Sequence, residues 1–202
     1  MNTVRTAVLV SGGGTNLQAL IAAKRSGKLP HVEFVSVISS NPDAYALTRA
    51  AHAVIPGYVC QRKGSTQKAF EQAILDLLER DHVQLIILAG FMSILSQDFV
   101  RRYPRRILNV HPALLPAFGG KGYYGLHVHE AALARGVKVT GATVHYVNEI
   151  ADGDEIILQK AVDVLPGDNP EILQQRVMEQ AEWIILPQAA ELAAKELLSL
   201  GA

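Results

Sequence analysis

Cysteine is all but missing from this sequence, where Cys60 stands alone. A single thiol excludes an internal disulfide and leaves nothing from which to build a thiolate metal cluster. An excess of either charge is missing too. Lys and Arg together number 19, Asp and Glu number 19, and the pI is about 7.1. Proteins that grip nucleic acid through its phosphates carry a basic surplus, so no nucleic-acid partner is expected. No apolar run approaches the ~20 residues that a membrane helix needs. Met1-Asn2-Thr3-Val4-Arg5 leads into strand-like sequence without a signal-peptide pattern. A cytoplasmic protein with no membrane association is the expectation. The chain also has no Gly-x-Ser-x-Gly elbow and no His-Glu-x-x-His, which removes the support for serine hydrolase or zinc protease chemistry.

What is present reads as one folded domain over 1–202. The 202 residues are 49% hydrophobic and 19% charged, enough to bury a substantial core. Compact apolar runs at Thr6 to Val10, Val32 to Ser39, Tyr58 to Cys60, Val83 to Ala89 and Ile107 to Val110 read as buried strands. Between them lie helical spacings: Leu17 to Lys24, Tyr45 to Ala53, a helix capped by Ser65 and running to Arg80, and a short one capped by Ser96. After a short helix from His127 to Arg135 come two strand candidates, Lys138 to Val147 and Glu155 to Val162. Asn169-Pro170-Glu171 opens a final helical stretch, expected to kink or break near Pro187. The order predicts an α/β fold: one mostly parallel open sheet flanked by helices, with antiparallel strands toward the carboxyl-terminal part.

Three segments carry chemistry. In Ile107-Leu108-Asn109-Val110-His111-Pro112, Pro112 ends the strand, and Asn109 and His111, two apart, point the same way. An amide that can donate to an oxyanion thus lies beside an imidazole that titrates near neutral pH, at a strand's carboxyl end. Ser11-Gly12-Gly13-Gly14-Thr15-Asn16 joins a strand to a helix, so its backbone N–H groups can cradle a phosphate. It is not the dinucleotide fingerprint, since Leu17 occupies the third glycine position, and no Gly-Lys-Ser/Thr makes it a Walker loop. Asp152, in the polar turn Asn148 to Asp154, matters if that turn folds over His111, whose charged form a carboxylate would favour. His127 and His129 form a His-x-His pair. With no third ligand in view, a helix-start role or a phosphate contact is expected there, and no metal. The glycine- and aromatic-rich stretch Ala117 to Gly125 reads as a flexible loop over a site.

Taken together, these residues resemble a known family. Asn109-Val110-His111-Pro112 with Leu114-Leu115-Pro116, the turn Asp152-Gly153, and Leu88-Ala89-Gly90-Phe91-Met92 look like the folate-dependent formyltransferases. Ser11-Gly12-Gly13-Gly14-Thr15-Asn16-Leu17-Gln18-Ala19 is similar to the branch that acts on phosphoribosylglycinamide in purine synthesis. The resemblance runs from Val8 to about Pro187. It implies transfer of formyl from the co-substrate 10-formyltetrahydrofolate to the glycinamide amine, with no metal. By that pattern Gly14, Thr15 and Asn16 hold the substrate phosphate, and Glu182 binds the ribose or glycinamide portion. Asn109 polarises the formyl oxygen, His111 manages protons, and Asp152 keeps His111 protonated. Met92, Ser93, Ile94 and Leu95 line the folate pocket, with Gln67 and Asn109 also on the folate side. The phosphate-binding half would be about 1–105 and the folate and catalytic half about 106–202, and a homodimer is left open.

Some positions depart from the pattern. Asp154-Glu155 stands where many relatives have Gly-Pro, Ser93 replaces an arginine, and Gln67 falls near a basic folate contact. Trp183 replaces a frequent histidine, and the spacing from Arg176 to Glu182 is one residue long. Three alternatives share parts of the pattern. Formyltetrahydrofolate hydrolase uses the same Asn, His and Asp but normally adds an amino-terminal regulatory domain. Methionyl-tRNA formyltransferase adds a carboxyl-terminal tRNA domain. A non-catalytic phosphometabolite-binding protein would need the glycine loop alone.

Overall fold

The computed structural model describes residues 2–148 and 155–201. Its centre is a seven-stranded sheet in the order β3-β2-β1-β4-β5-β6-β7. The strands are β1 (Val4–Val10), β2 (Val32–Ser39), β3 (Gly57–Val59), β4 (Leu85–Leu88), β5 (Ile107–His111), β6 (Val139–Tyr146) and β7 (Ile156–Asp163). The helices are α1 (Thr15–Arg25), α2 (Tyr45–His52), α3 (Gln67–Arg80), α4 (Gln97–Val100), α5 (Leu126–Arg135), α6 (Pro170–Val177) and α7 (Trp183–Ser199). The first five strands are parallel, β6 runs antiparallel to β5, and β7 antiparallel to β6. The antiparallel pairing expected toward the carboxyl-terminal part is present at both late strand pairs, β5–β6 and β6–β7. No described helix is long and apolar enough to cross a membrane.

Strand alternation divides the core between the two faces of the sheet. Val8 and Val10 of β1 pack with Leu17, Leu20 and Ile21 of α1 and Leu186 of α7. Ala7 and Leu9 face the other way, onto Phe70, Ile74 and Leu78 of α3. Both faces of the central strands are covered, which is why they read as unbroken apolar runs. The same alternation in β5 sends Leu108 and Val110 to the first face and Ile107 to the second, so Asn109 and His111 share the Ile107 side.

Three helix starts carry a side-chain cap, those of α3, α4 and α6, and one of them is shifted from expectation. Ser96 accepts from Phe99 N at 3.3 Å, and Asn169 accepts from Ile172 N at 2.8 Å ahead of Pro170. The cap of α3 is Thr66, whose hydroxyl accepts from Ala69 N at 3.2 Å, and not Ser65. Ser65 is held one residue earlier, its N–H on Arg62 O and its carbonyl accepting from Arg62 Nη1. The break expected at Pro187 is also displaced. α7 runs through Pro187, and the irregularity is a π turn at Met178–Glu182 just before it. A π turn accommodates an extra residue, so the chain runs from α6 into α7 without a break and Pro187 lies inside α7.

One close approach locks β6 to β7. A Cβ built on Gly141 would lie 2.1 Å from the Lys160 carbonyl oxygen and 2.8 Å from Leu114 Cδ2. Backbone cannot yield as a side-chain tip can. Gly141→Ala is expected to lower stability by at least about 2 kcal/mol in urea unfolding. A midpoint equal to that of the parent protein would show that the ladder opens freely there.

Candidate active site

The strand order turns round between β1 and β4, and open α/β sheets bind ligands in the crevice at such a point. Two loops meet there, the glycine loop after β1 and the segment after β4. Ser11 ties them: its hydroxyl oxygen accepts from Met92 N at 2.9 Å and lies 2.6 Å from Ser40 Oγ, just beyond β2.

The glycine loop is shaped by α2. Gly14 sits at φ 72°, and a Cβ there would lie 2.7 Å from the Ala46 Cβ, so no side chain fits. Ala46 N donates to Gly12 O at 3.1 Å and Arg49 Nε to Gly13 O at 2.8 Å, so α2 and its arginine take both loop carbonyls. No side chain caps α1, which leaves its first amides for an anion. Thr15 places its hydroxyl 3.9 Å from Met178 Sδ. Asn16 Nδ2 donates to Glu182 Oε2 at 2.7 Å, joining α1 to the π turn. Both side chains are buried, and Asn16 Oδ1 has no partner. Burial raises the Glu182 pKa, against the lowering effect of the Asn16 bond. The long spacing from Arg176 to Glu182 thus coincides with a π turn that leaves Glu182 aimed at Asn16.

The tip of β5 is organised from β6. Antiparallel register sets Asn109 opposite His145. His145 Nδ1 lies 2.7 Å from the Tyr146 carbonyl, which can only accept, so Nδ1 carries the proton. Its Nε2 then accepts from Asn109 Nδ2 at 3.2 Å, which fixes the orientation of the amide. His111 is buried, and its Nε2–H donates to the Phe118 carbonyl at 2.7 Å. Phe118 lies at φ 53° in the glycine-rich loop and packs edge-on against Tyr123 at 6.1 Å. The two histidines of the His-x-His pair diverge. His127 is exposed and pairs with Glu130 at 2.9 Å, whereas His129 is fully buried with neither ring nitrogen bonded.

The segment after β4 is held from α3. Buried Glu71 accepts from Ser96 N at 2.6 Å and from Ser96 Oγ at 2.5 Å. Gln67 Nε2 donates to Glu71 Oε1 at 2.6 Å and to Ile94 O at 2.9 Å. This anchoring leaves apolar Met92 57% and Ile94 81% exposed, with Ser93 and Leu95 half-buried between and beside them.

The expected site residues therefore fall into three adjoining groups. Gly14, Thr15, Asn16 and Glu182 form one, Asn109 and His111 a second, and Gln67 with Met92, Ser93, Ile94 and Leu95 a third. The Ser11–Met92 bond joins the first to the third, and pairing of Leu88 with Asn109 joins the third to the second. Asp152 lies outside the described residues. The exit of its turn is held, because Glu155 ion-pairs with Arg105, whose other nitrogen reaches Glu196 Oε1 at 3.1 Å. His145, Arg49 and Glu71 belong to no motif in the sequence. Their only signal was pairing across long sequence separations.

Fold and site define a class, an open α/β sheet with its polar side chains gathered at the switch point. The chain belongs to the formyl transferase family, which it matches over residues 4–190. It is 44% identical over 184 residues to phosphoribosylglycinamide formyltransferase of Haemophilus influenzae, covering 91% of this chain and 84% of that protein. It is 45% identical over 199 residues to the trifunctional purine biosynthetic protein adenosine-3 of Bos taurus, covering 98% of this chain but only 19% of that protein. The chain thus spans about a fifth of that trifunctional relative. Among solved structures, glycinamide ribonucleotide transformylase 1 of Symbiobacterium toebii superposes with a TM-score of 0.89 at 40% identity, covering 96% of this chain and 89% of that one. A formyltetrahydrofolate deformylase of Pseudomonas putida superposes at 0.84 with 29% identity, covering 96% and 66%.

His129 makes stability depend on pH. Burial, with a further contribution from His111, pushes its pKa down to about 4 from 6.5. The unfolded chain then binds a proton between these values that the folded one refuses, so stability is full above pH 6.5 and falls as the pH drops toward 4. The loss should be about 3 kcal/mol in urea titrations, and His129→Leu should flatten that slope. An unchanged slope in the variant would assign the acid sensitivity elsewhere.

Proposed function

We propose that this chain transfers the formyl group of 10-formyltetrahydrofolate to the amine of 5'-phosphoribosylglycinamide, yielding the N-formyl product and tetrahydrofolate in de novo purine biosynthesis. The observation that carries the reading is the pairing of an oriented amide and an imidazole at the tip of β5, beside an uncapped helix amino terminus at the switch point. The named activities of the Haemophilus influenzae and Symbiobacterium toebii proteins support it.

In this reading the amides of Gly14, Thr15 and Asn16 hold the 5'-phosphate. The unpaired Asn16 oxygen and the Glu182 carboxyl receive the ribose or glycinamide portion, which gives the buried Asn16 oxygen the partner it lacks. Met92, Ser93, Ile94 and Leu95, braced by Gln67, take the folate, with exposed Met92 and Ile94 supplying apolar surface for the pterin. The substrate amine attacks the formyl carbon. The second hydrogen of the Asn109 amide, the one not given to His145, stabilises the oxyanion that develops. Collapse breaks the bond to the folate nitrogen. His111 passes a proton to that departing nitrogen, and the attacking amine gives one up, so the step balances without metal or redox partner. The Phe118 carbonyl must leave His111 Nε2 for this to occur. Asp152 keeps His111 protonated. The enzyme otherwise works by holding two substrates in attack geometry.

A water in place of the amine would give hydrolysis, the activity named for the Pseudomonas putida neighbour. The phosphate-ready loop favours the ribonucleotide. Asp152→Asn tests the catalytic assignment. Turnover should fall by about 100-fold or more, with KM for both substrates within a few-fold, and the alkaline limb of the kcat profile, where His111 loses its proton, should move to lower pH. Parent-like turnover with raised KM would remove Asp152 from the catalytic set.

A further inference from the structure

A cavity of about 650 Å³ lies between α1 and α7, a size typical of small-molecule sites. The reaction just described uses only its rim at Thr15. The remainder runs along α1 away from the tip of β5, over the short side chains of Ala22 and Ala23, and is flanked by Trp183, the chain's single tryptophan. Its two ends carry cations. Arg49 stands beside Thr15 at one end, and exposed Lys28 lies at the other. No carboxylate is among the residues that line it.

Charge and shape together select the occupant. Two cations and no acid call for an anion. Arg49 spends its Nε on Gly13 O and one Nη on Gln18, which leaves further N–H groups of its fork beside the uncapped start of α1. Gln18 and Gln188 line the slot from opposite helices. Gln18, whose Oε1 already accepts from Arg49, keeps its Nε2 donor, and exposed Gln188 offers a whole amide, so the two match the mixed donors and acceptors of a base and ribose better than an acyl chain. The indole offers a flat surface for stacking, and a two-ring base covers more of it than a one-ring base.

We propose that this groove seats the ribose and base of a purine nucleoside monophosphate whose phosphate occupies the Thr15–Arg49 end. The inference rests on the phosphate-loop assignment above. The nucleotide and the ribonucleotide substrate claim the same amides, so they exclude each other. The chain is therefore inhibited by purine nucleotides in competition with the ribonucleotide, and not with the folate.

The test uses the full chain with AMP and GMP, reading Trp183 fluorescence and inhibition kinetics. Both nucleotides should change the emission and raise the apparent KM for the ribonucleotide alone. Ala22→Phe, which fills the slot, should weaken nucleotide binding by about tenfold or more while KM for the ribonucleotide stays within about twofold. Lys28→Glu, on an exposed side chain, should weaken it by a smaller factor and covers the case in which Ala22→Phe fails to fold. Equal nucleotide affinity in parent and both variants would overturn the proposal, since the phosphate loop alone would then explain binding. Quenching by laurate that Ala22→Phe abolishes, with none by AMP, would overturn it in favour of an acyl anion. If formyl transfer itself fails, the fluorescence titration still reads the groove independently.

Discussion

The hydrogen bond between Asn109 and His145 depends on one strand running against all the others. Were β6 parallel to β5, no residue of β6 would stand directly across from Asn109 in a close antiparallel pair. With the reversal, the Tyr146 carbonyl fixes the protonated nitrogen of His145, His145 fixes the amide, and the amide keeps one hydrogen to offer. A donor that is already oriented need not reorganise as charge develops, which is where such a group gains most of its effect. The same reversal brings the end of β6 back beside the start of β5, where Val147 N donates to Ile107 O, and Glu155 ahead of β7 meets Arg105.

A second constraint joins the two ends of the chain. Asn16 on α1 and Glu182 in the π turn are 166 residues apart, yet they form one buried polar pair. Burying a carboxyl beside an acceptor that has no donor is unfavourable, and proteins retain such arrangements where a ligand completes them. In the proposed reading the substrate does so, and its binding is favoured by what the empty protein leaves unmade. The π turn is the backbone expression of the same requirement. It carries one more residue per turn than an α-helix, so the chain can keep α6 and α7 nearly continuous while directing Glu182 inward.

Much of this architecture was legible in local sequence, because local physics determines it. Apolar runs marked the parallel strands, and Ser96 and Asn169 marked helix starts through caps that reach only three residues. Two-residue alternation put Asn109 and His111 on one side of β5. What escaped was set by pairing at a distance. His145 is defined by register 36 residues away, and nothing in Val144-His145-Tyr146 announces it. Arg49 acts on a loop carbonyl from a neighbouring helix, and Glu71 holds a segment that follows a different strand. Pro187 lies inside α7, and the irregularity falls at the π turn that precedes it. Ser65 and Thr66 are chemically alike as caps, so only the turn closed by Arg62 separates them.

The central claim is that the tip of β5 directs a formyl group to a phosphate-anchored amine and not to water. The most direct measurement supplies 10-formyltetrahydrofolate labelled with carbon-13 in the formyl group and follows the label by NMR, with and without phosphoribosylglycinamide. The account predicts slow or no loss of label without the ribonucleotide, and with it a new formamide carbon in equal amount to the tetrahydrofolate released. Label appearing as formate, at a rate indifferent to the ribonucleotide, would contradict it.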